Sequence, residues 1–574
     1  MPTPQPSRSF PRLLAGPILR HVGNTTATVW VQTDRPTEVE VLGCRTATFE
    51  VHGHHYALVE ISGLAPASVT DYEVWVGGEL GWPLPGSIWP ASRIRTRGGG
   101  NPIRVVFGSC RNAKPTDPKA ATKLGTDSLE VYAIRMAGIP AEEWPDALLL
   151  LGDQVYADEP PPQARRWLSS RRHRVASAES GQEGSSDQEG LFGQEAPPDQ
   201  EANDFVEYAH LYQETWSGPE VRWLLSTVPT AMIFDDHDVR DDWNTSAAWR
   251  RWITAESWWP TRIRGALASY WVYQHIGNLS PQERHADPIW CAVQGAGKDA
   301  WPALREMATA ADTDPASVRW SFRWDIDGVR LVMVDTRCGR MLTEGHRTML
   351  AEQEFRWVED AISKDAAVAS HVLIGSSLPW LLAPAIHDMQ SANEEACARG
   401  GAVAERLRQA LDLEHWAAFR SSFDRLAALL HRMAAEPQAP ATISVVSGDV
   451  HHSYVAQADF SQPGHSAVYQ LVCSPMHHSV PWPLHTLLRA AWSGPFARTF
   501  RWVARRQGLP DPPLSWSRVT GPIFGNALAT LVFADRDAEL VIESAPHSGQ
   551  LTPVARVELG PRAGSSTQRL PPAR

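Results

Sequence analysis

Residues Asp146–Glu159 read DALLLLGDQVYADE, and this stretch decides the fold. Its first part, Ala147–Leu151, is a continuous apolar run of strand length, which is typical of a strand covered on both faces of a sheet. A glycine ends the run, and Asp153, Tyr156 and Asp158 follow. Ligands of open α/β sheets bind beyond the carboxyl ends of the strands, where carboxylate and phenol oxygens can hold a cation. The alternative is an Asp-rich turn in which Asp153 caps the next segment.

The chain has 574 residues, which is too long for one core and predicts two or more domains. It is 43% hydrophobic and 21% charged, so most of it should fold around a large core. The formal net charge of −12 argues against a general nucleic-acid or anionic-membrane surface, although it allows a local basic patch. The six cysteines are scattered without a C-x-x-C pair, so structural disulfides are not indicated.

The start of the chain, MPTPQPSRSFPRLLAGPILR, lacks the continuous apolar stretch of a signal peptide. No later run reaches the length of about 18 apolar residues that a transmembrane helix needs. We therefore expect no transmembrane segment and a cytoplasmic location, or export if a leader is missing from the sequence as given. No nucleic acid is expected as a structural partner, and the oligomeric state is left open.

Residues 1–100 are predicted to form a small all-β sandwich domain. Strand-like segments such as Thr26–Gln32 and Tyr72–Val76 are separated by turn residues. The phrase ALVEISGLAPASVTDYEVWV resembles a fibronectin type III-like sandwich. Glycines 98–100 mark a domain boundary. Since nothing here carries chemistry, we interpret this domain as a packing or interaction module.

From residue 101 to about 560, apolar strands alternate with helical segments, which predicts an α/β domain. Residues 160–204 interrupt the pattern with an Arg-rich patch and an acidic run of low apolar content, and we predict a disordered surface insertion. Ala527–Phe533 and Ala538–Glu543 are expected to form a hairpin at the edge of a sheet. The polar residues 561–574 are predicted to be a flexible tail.

Four of the predicted strands are followed by groups that can bind a metal ion. These groups are Cys110; Asp153 with Tyr156 and Asp158; Asp235, Asp236, His237 and Asp238; and Asp449 with His451 and His452. Each cluster alone has an ordinary explanation, such as a small buried thiol or a capped turn. Because each follows an apolar strand, parallel strands of one sheet would place all four along one edge. We therefore predict a shared site.

The order of the motifs GSC, GDQVYAD, DDHDVRDDW, DTR, GSSLPW, EHWAAF and SGDVHHS resembles the alkaline phosphatase D family of metallophosphatases. The resemblance covers about Pro102–Glu558, and the preceding β-domain is similar to one that those enzymes carry. It implies a four-layer αββα sandwich, in which helices flank two packed sheets. It also implies hydrolysis of phosphomonoesters or phosphodiesters by metal-bound hydroxide. Small-molecule phosphate esters would be the partners, and Fe3+ and Ca2+ the cofactors, with other divalent metals as an alternative.

The resemblance also implies a set of metal ligands. Cys110, Asp153, Tyr156 and Asp449 would bind the iron, and Asp153 would bridge to the calcium. Asp236 would hold this second metal, with the Asn244 carboxamide assisting. Which members of the acidic run coordinate is left open among Asp235, Asp236, Asp238, Asp241 and Asn244. Asp158 would either bind calcium or hold the loop.

Three further residues take catalytic roles under the same resemblance. His237 would contact the phosphate or protonate the leaving oxygen. His451 matches the second histidine of a Gly-His-x-His pattern whose first histidine is here Asp449, and His452 is a weaker candidate. Arg337 would contact the phosphate or, alternatively, form a structural salt bridge.

This sequence departs from the family pattern in lacking a twin-arginine leader and in enlarging the loop after GDQVYAD. His477 and His478 have no clear role. Two other functions stay open, a non-catalytic metal-binding protein on the same fold and a metal-dependent hydrolase of another ester. A Ser-His-Asp hydrolase is disfavoured because no G-x-S-x-G elbow follows a strand. The leaving alcohol should be selected by Trp-rich walls from residues 243–275 and 376–386.

Overall fold

The computed structural model describes residues 10–99, 102–180, 198, 200–364, 369–462, 464–545 and 549–560. Its N-terminal part is an all-β sandwich, as predicted. The sheets have the strand orders β1-β2-β6-β5 and β4-β3-β8-β9, with a ribbon β10-β7. The strands are β1 Leu13–Val22, β2 Thr26–Thr33, β3 Glu38–Val41, β4 Cys44–Ala47, β5 Phe49–Val51, β6 His54–Ser62, β7 Val69–Asp71, β8 Val74–Val76, β9 Glu79–Trp82 and β10 Arg93–Arg95. The likeness to a fibronectin type III domain stays a prediction, as do the two domain ranges.

The strands of the second domain come from both halves of its sequence. They are β11 Ile103–Gly108, β12 Ala147–Leu151, β13 Thr230–Ile233, β14 Phe322–Ile326, β15 Val329–Val334, β16 His371–Ser376, β17 Thr442–Ser447, β18 Ser453–Phe460, β19 Ala467–Val472, β20 Leu514–Ile523, β21 Ala527–Ala534, β22 Asp537–Ser544 and β23 Thr552–Leu559. Strand β12 has the bounds that the apolar run predicts.

Helices occupy most of the remaining chain of this domain. They are α1 Pro118–Leu124, α2 Ser128–Ala137, α3 Pro162–Ser180, α4 Phe205–Thr215, α5 Pro219–Thr227, α6 Ala247–Ile253, α7 Trp259–Tyr270, α8 Ile276–Asn278, α9 Pro281–Ala286, α10 Pro288–Gly295, α11 Trp301–Thr313, α12 Glu352–Ser363, α13 Pro384–Ala398, α14 Ala402–Ala410, α15 Arg420–Ala435, α16 Trp482–Ala491 and α17 Gly494–Arg506. A π-helical turn, Trp271–His275, joins α7 to α8. Within the described chain, no helix has the length and apolar character that spanning a membrane requires.

Two sheets form the middle of the second domain. Their strand orders are β13-β12-β11-β21-β22-β23 and β14-β15-β16-β17-β19-β18-β20. They pack face to face, since a Cβ placed on Gly375 of β16 would lie 3.6 Å from Leu151 of β12. Strand β12 is buried along its whole length, as expected for a strand between layers. This architecture confirms the predicted four-layer αββα sandwich.

The predicted edge hairpin is instead internal. Strand β21 pairs antiparallel with the parallel strand β11, and β22 pairs on its other side with β23. The sequence analysis missed β23 (TPVARVEL), whose alternating polar residues face solvent. Because β23 takes the outer position, both strands of the predicted hairpin gain a partner on each side.

Part of the predicted disordered insertion is helical. Helix α3 covers residues 162–180, so the prediction of disorder is wrong there, whereas residues 181–197 and 199 and the predicted tail 561–574 lie outside the described residues. The helix is held by charge as well as by apolar contact. Arg171 and Arg172 both pair with the buried carboxylate of Glu207 on α4, and Leu168 is fully buried. The low apolar content of this segment predicted disorder, because the sequence does not show that ion pairs with Glu207 would hold a helix here.

The N-terminal sandwich is docked on the second domain through buried polar contacts. Arg20 of β1 is fully buried and donates to the Gln274 carbonyl oxygen and, at 2.7 Å, to the Asn278 side chain. The hydroxyl groups of Tyr56 and Tyr273 lie 3.0 Å apart in the same interface. Buried polar groups paired in this way fix the relative placement of two surfaces, because separating them leaves the groups unsatisfied.

This interface predicts the effect of a small substitution. A Cβ at Gly277 would lie 2.2 Å from Nε of Arg20, whose buried side chain has no free space to move into. We expect Gly277→Ala to destabilise the protein by about 1–3 kcal/mol through overpacking, seen as a lower thermal unfolding midpoint. Gly295→Ala is the matched control, because nothing lies within 4 Å of its added Cβ. An unchanged midpoint for Gly277→Ala would contradict the described interface.

Candidate metal centre

The four predicted strand ends meet, but they come from two sheets rather than one. Cys110 follows β11, Asp153 follows β12 and Asp235 follows β13, all in the six-stranded sheet, whereas Asp449 follows β17 of the seven-stranded sheet. The prediction of a single sheet edge is therefore wrong. The two sheets can meet here because residue 448 is glycine, at which a Cβ would lie 1.9 Å from the Ser109 hydroxyl oxygen.

Two groups of potential metal ligands share one residue. The first donor group comprises Cys110, Asp153 and His451, whose ligand atoms all lie within 4.8 Å of one another. The second donor group comprises Asp153, Asp235 and Asp236, by the same measure. Asp153 belongs to both groups, which is the geometry that a bridging carboxylate requires. The structure thus adds His451 and Asp235 to the ligands that the sequence favoured.

Tyr156 lies beside the first donor group. Its hydroxyl lies 3.4 Å from Oδ2 of Asp153, and its ring packs against His237 and His478 with centroid distances of 4.7 and 5.6 Å. His478 also stacks on His451 at 4.4 Å. The two aromatic contacts give His478, which had no role in the sequence analysis, a place in the wall of the site.

The donor oxygens fit a multivalent cation. Oδ1 of Asp153 and Oδ2 of Asp235 are buried without a hydrogen-bond partner, whereas Oδ1 of Asp236 lies 3.2 Å from a guanidinium nitrogen of Arg337. Buried carboxylate oxygens without partners are costly, and a metal ion would satisfy them. Burial and the neighbouring acidic groups raise the pKa of Asp153, and burial and Asp153 raise the pKa of Cys110. A cation would reverse both effects, because it stabilises the ionised carboxylate and thiolate.

Asp238 holds the loop that carries Asp153. Its two carboxylate oxygens accept N–H groups from Asp153, Gln154 and Val155, each at 3.0 Å, and from Asp235 at 2.9 Å. With four donors in place, Asp238 acts as an anchor for two strand ends rather than as a metal ligand. The sequence left it open as a ligand, since an acidic run does not show which carboxylates turn inward.

Backbone strain is concentrated at the site. Of the twelve described non-glycine residues with positive φ, six lie here: Cys110, Asp153, Asp242, Asn244, Asp449 and His451. Such conformations cost free energy and persist only where the surroundings enforce them. The main chain is therefore arranged for these side chains at the expense of local stability.

Arg337 lies behind the carboxylates instead of facing an open surface. Its side chain is fully buried and forms ion pairs with Asp235, with Asp236 at 3.2 Å and with Glu414 at 2.5 Å. A direct phosphate contact needs an accessible guanidinium, so the structure favours the salt-bridge alternative over the predicted contact. Asn244 contacts the main chain of the same residue, since its Nδ2 donates to the Arg337 carbonyl oxygen at 3.1 Å.

His415 is the site residue that the sequence analysis missed, although it lies in the motif EHWAAF. Its Nε2 lies 2.9 Å from Oδ2 of Asp449, and Gln390 holds its Nδ1 at 2.9 Å. The backbone of Asp449 reaches the first donor group, because its carbonyl oxygen accepts from the Cys110 thiol at 3.7 Å. His415 thus fixes the carboxylate of a predicted ligand from outside the donor groups.

His237 is held by Asp158, whose carboxylate lies 3.0 Å from its Nδ1. Asp158 also accepts the Asp241 backbone N–H at 2.6 Å, so its role is to hold the loop and the histidine. Burial opposes the imidazolium, but attraction to Asp158 and Asp236 outweighs it and raises the pKa of His237. Together with Asp236 and Asp241, His237 also forms a third group of potential metal ligands, whose ligand atoms lie within 4.8 Å of one another. His452 points elsewhere, since its Nδ1 contacts the Val450 carbonyl oxygen.

The two packed sheets and the shared donor groups at their common edge define a metallophosphatase. A family model described as "PhoD-like phosphatase" matches residues 132–493, which is more than half of the chain. The chain therefore belongs to the PhoD-like phosphatase family, as the resemblance in its motifs predicted. A second model, "Domain of unknown function (DUF7800)", matches residues 10–94.

Two solved structures are similar to the chain. The structure of PhoD is 12% identical with a TM-score of 0.58, over 98% of this chain and 93% of that chain. Purple acid phosphatase PPD1 from yellow lupin (Lupinus luteus) seeds is 11% identical with a TM-score of 0.47, over 95% and 73% of the two chains. At 12% identity, the likeness to PhoD shows a shared fold alone. The TM-score of 0.47 is too low for the likeness to the purple acid phosphatase to support a conclusion. No curated protein matches the chain.

The contact of His415 with Asp449 can be tested by substitution. We expect His415→Ala to lower the affinity for metal about 10–100-fold, because residues that orient a ligand typically have that effect. Metal content is measured by elemental analysis after dialysis against graded chelator. His431→Ala is the control, since that histidine stacks on Phe460 away from the donor groups. Equal metal retention in both variants would show that His415 does not position Asp449.

Proposed function

We propose that this protein hydrolyses phosphomonoesters or phosphodiesters of small molecules at a centre of two metal ions. The observation that carries the proposal is the sharing of Asp153 between two donor groups, one with Cys110 and His451 and the other with Asp235 and Asp236. Membership of the PhoD-like phosphatase family supports a phosphoesterase. Family membership specifies neither the ester class nor the metals, and both belong to this proposal.

The two donor groups differ in chemistry. Cys110 and Tyr156 offer a thiolate and a phenolate, which suit Fe3+, and Asp153 and Asp449 would complete that set. Asp235 and Asp236 offer only carboxylate oxygens, which suit Ca2+, and Asn244 would assist. When bound, such ions neutralise the anionic ester and lower the pKa of coordinated water.

The residues around the centre bind and orient the ester. His237 is the candidate to contact the phosphate or to protonate the leaving oxygen. Asp158 occupies its Nδ1, and its Nε2 lies 3.8 Å from Oδ1 of the exposed Asp241. His451 and His478, stacked together, form an opposite wall. Arg337 balances the charge of Asp235 and Asp236 from behind, so it would act through those carboxylates rather than on the substrate.

A cavity of about 280 Å³ lies beside Asn244 and is the candidate for the alcohol part of the substrate. It is lined by Trp243, Met341, Arg251 and Arg250, and the Arg250 guanidinium pairs with Asp312 in the same wall. This mixture of apolar and polar surface suits an alcohol that has both apolar and polar parts. The wall agrees in part with the predicted segment 243–275.

Metal content tests the shared ligand. We expect Cys110→Ser to lose one metal equivalent and Asp236→Asn to lose the other, whereas Asp153→Asn should lose both because it belongs to both donor groups. Elemental analysis gives the stoichiometry. If the first metal is Fe3+, a visible absorption band from a tyrosinate–iron bond should disappear in Tyr156→Phe. Cys291→Ser, at an exposed cysteine, is the matched control. Loss of only one equivalent in Asp153→Asn would contradict the bridge.

Activity tests the reaction. The metal-loaded protein should hydrolyse nitrophenyl phosphate, bis-nitrophenyl phosphate or both, and the ratio of the rates assigns the ester class. We expect His237→Ala to lower kcat about 10²–10⁴-fold, the usual effect of losing a general acid, with its metal content retained. Full metal content without turnover would favour a non-catalytic metal-binding protein. Turnover of sulfate esters or lactones alone would favour a hydrolase of another ester.

A further inference from the structure

Helices α16 and α17 follow each other directly in the chain, and we call residues 482–506, which leave several large apolar side chains in solvent, the hairpin. Each helix has a single buried residue, Ala491 in α16 and Ala504 in α17. Trp482 is 74% exposed, and Leu487 and Trp502 are more than half exposed. Leu484 and Phe496 are exposed as well.

The apolar residues of α16 have the spacing of a helix face that needs a partner. Leu484, Leu487, Leu488 and Ala491 recur at the interval of one helical turn, which normally marks the face packed on a core. Here only Ala491 reaches a core, the small cluster that it forms with two alanines near the start of α13. In the described chain Leu488 is partly buried, whereas Leu484 and Leu487 stay exposed, and exposed apolar side chains that lie together mark interaction sites.

The hairpin is also strongly cationic. Residues 460–510 contain no aspartate or glutamate, in a protein whose net charge is −12. The hairpin carries five arginines, of which Arg501 and Arg505 pair with Asp511. Among the described residues, no carboxylate pairs with the other three, Arg489, Arg498 and Arg506. These three arginines form a local basic patch, which the net negative charge of the whole chain does not exclude.

Aromatic residues lie directly beside these cations. The Arg506 guanidinium lies 4.3 Å from the ring centre of the exposed Trp502, and that of Arg489 lies 4.9 Å from Phe524. The two exposed tryptophans, Trp482 and Trp502, lie near opposite ends of the hairpin sequence. Helices with tryptophan, leucine and unpaired arginine on the surface bind in the plane of a lipid headgroup layer.

We propose that the 482–506 hairpin docks the protein on the surface of an anionic lipid bilayer. The exposed indole and leucine side chains would enter the boundary between headgroups and acyl chains, and the three unpaired arginines would contact lipid phosphates. The helices are too short to span a bilayer. A protein partner is less favoured, because anchoring tryptophans at protein interfaces typically fill pockets at the centre of a contact.

The hairpin adjoins the metal centre. The segment before it contributes the Ser474 hydroxyl, which donates to the Cys110 sulfur at 3.2 Å, and the His478 ring, which stacks on Tyr156. Trp482 begins α16 four residues after His478. A docked hairpin would therefore place the centre close to the headgroup layer. The proposal itself rests on the hairpin alone and stands whether or not the proposed reaction is correct.

Sedimentation with vesicles tests the proposal on the full-length protein. Vesicles of phosphatidylcholine are compared with vesicles of equimolar phosphatidylcholine and phosphatidylglycerol. At low ionic strength we expect binding to the anionic vesicles to be at least about tenfold tighter, because each arginine near such a surface contributes roughly fivefold. Binding should weaken steeply with added salt.

Two variants separate the charge from the apolar anchors. The triple variant R489E/R498E/R506E should lose the preference for anionic vesicles, and W482S/W502S should weaken binding to them at least about tenfold, given the area that two indoles bury. The matched controls are R406E/K298E/R305E, which reverses three exposed cations elsewhere, and Ile88→Ser, at a residue 89% exposed. All changed side chains are exposed, and unaltered thermal midpoints will show that the variants fold.

Three outcomes would overturn the proposal. The first is no binding of the unaltered protein to anionic vesicles, and the second is equal binding by the hairpin variants and the controls. The third is concentration-dependent self-association of the unaltered protein in light scattering, abolished by W482S/W502S and accompanied by no vesicle binding. That result would assign the hairpin to contact between copies of the chain.

Discussion

One buried guanidinium, that of Arg337, is the interaction on which the carboxylate-rich centre depends. Asp235, Asp236 and Glu414 surround it at the junction of two sheets, and it has no exposure to water. Removing one partner from a buried ion pair typically costs about 3–5 kcal/mol, because the remaining charges lose compensation without gaining hydration. The cluster can therefore exist inside the fold only with this cation in place. Additional positive charge from metal ions would act on the side of the carboxylates that faces Asp153.

A second constraint acts through the main chain. Asp238 accepts four backbone N–H groups from two strand ends, and one of them belongs to Asp153, which has a positive φ. The positive φ of Asp153 and the burial of its carboxylate are each unfavourable alone. The position of this carboxylate therefore costs local stability. Hydrogen bonds of the polypeptide thus help to place Asp153. His415 does the same for Asp449 through a side-chain contact.

The sequence predicted structure best where interactions between residues close in the chain determine it. The apolar run of β12 predicted a buried strand with its observed bounds, and the glycine and acidic residues after it predicted a ligand-bearing turn. Long-range pairing was harder to predict. Nothing near Asp449 indicates that β17 belongs to the other sheet, and the motif DTR does not show that Arg337 is enclosed by carboxylates from distant segments. Likewise, α3 is held by Glu207, a residue beyond the acidic run that concealed the helix.

The contact between the two sheets has a consequence for how the protein matures. The Asp449 N–H donates to the Ser109 hydroxyl across a sequence separation of 340 residues, and Gly448 permits that approach. Ribosomal synthesis delivers Cys110, Asp153 and Asp236 long before the strand that carries Asp449. The early donors therefore form an incomplete, negatively charged site that must wait for the rest of the chain. Because ligand sets rarely exist before folding, capture of the final metal complement reports that both sheets are complete.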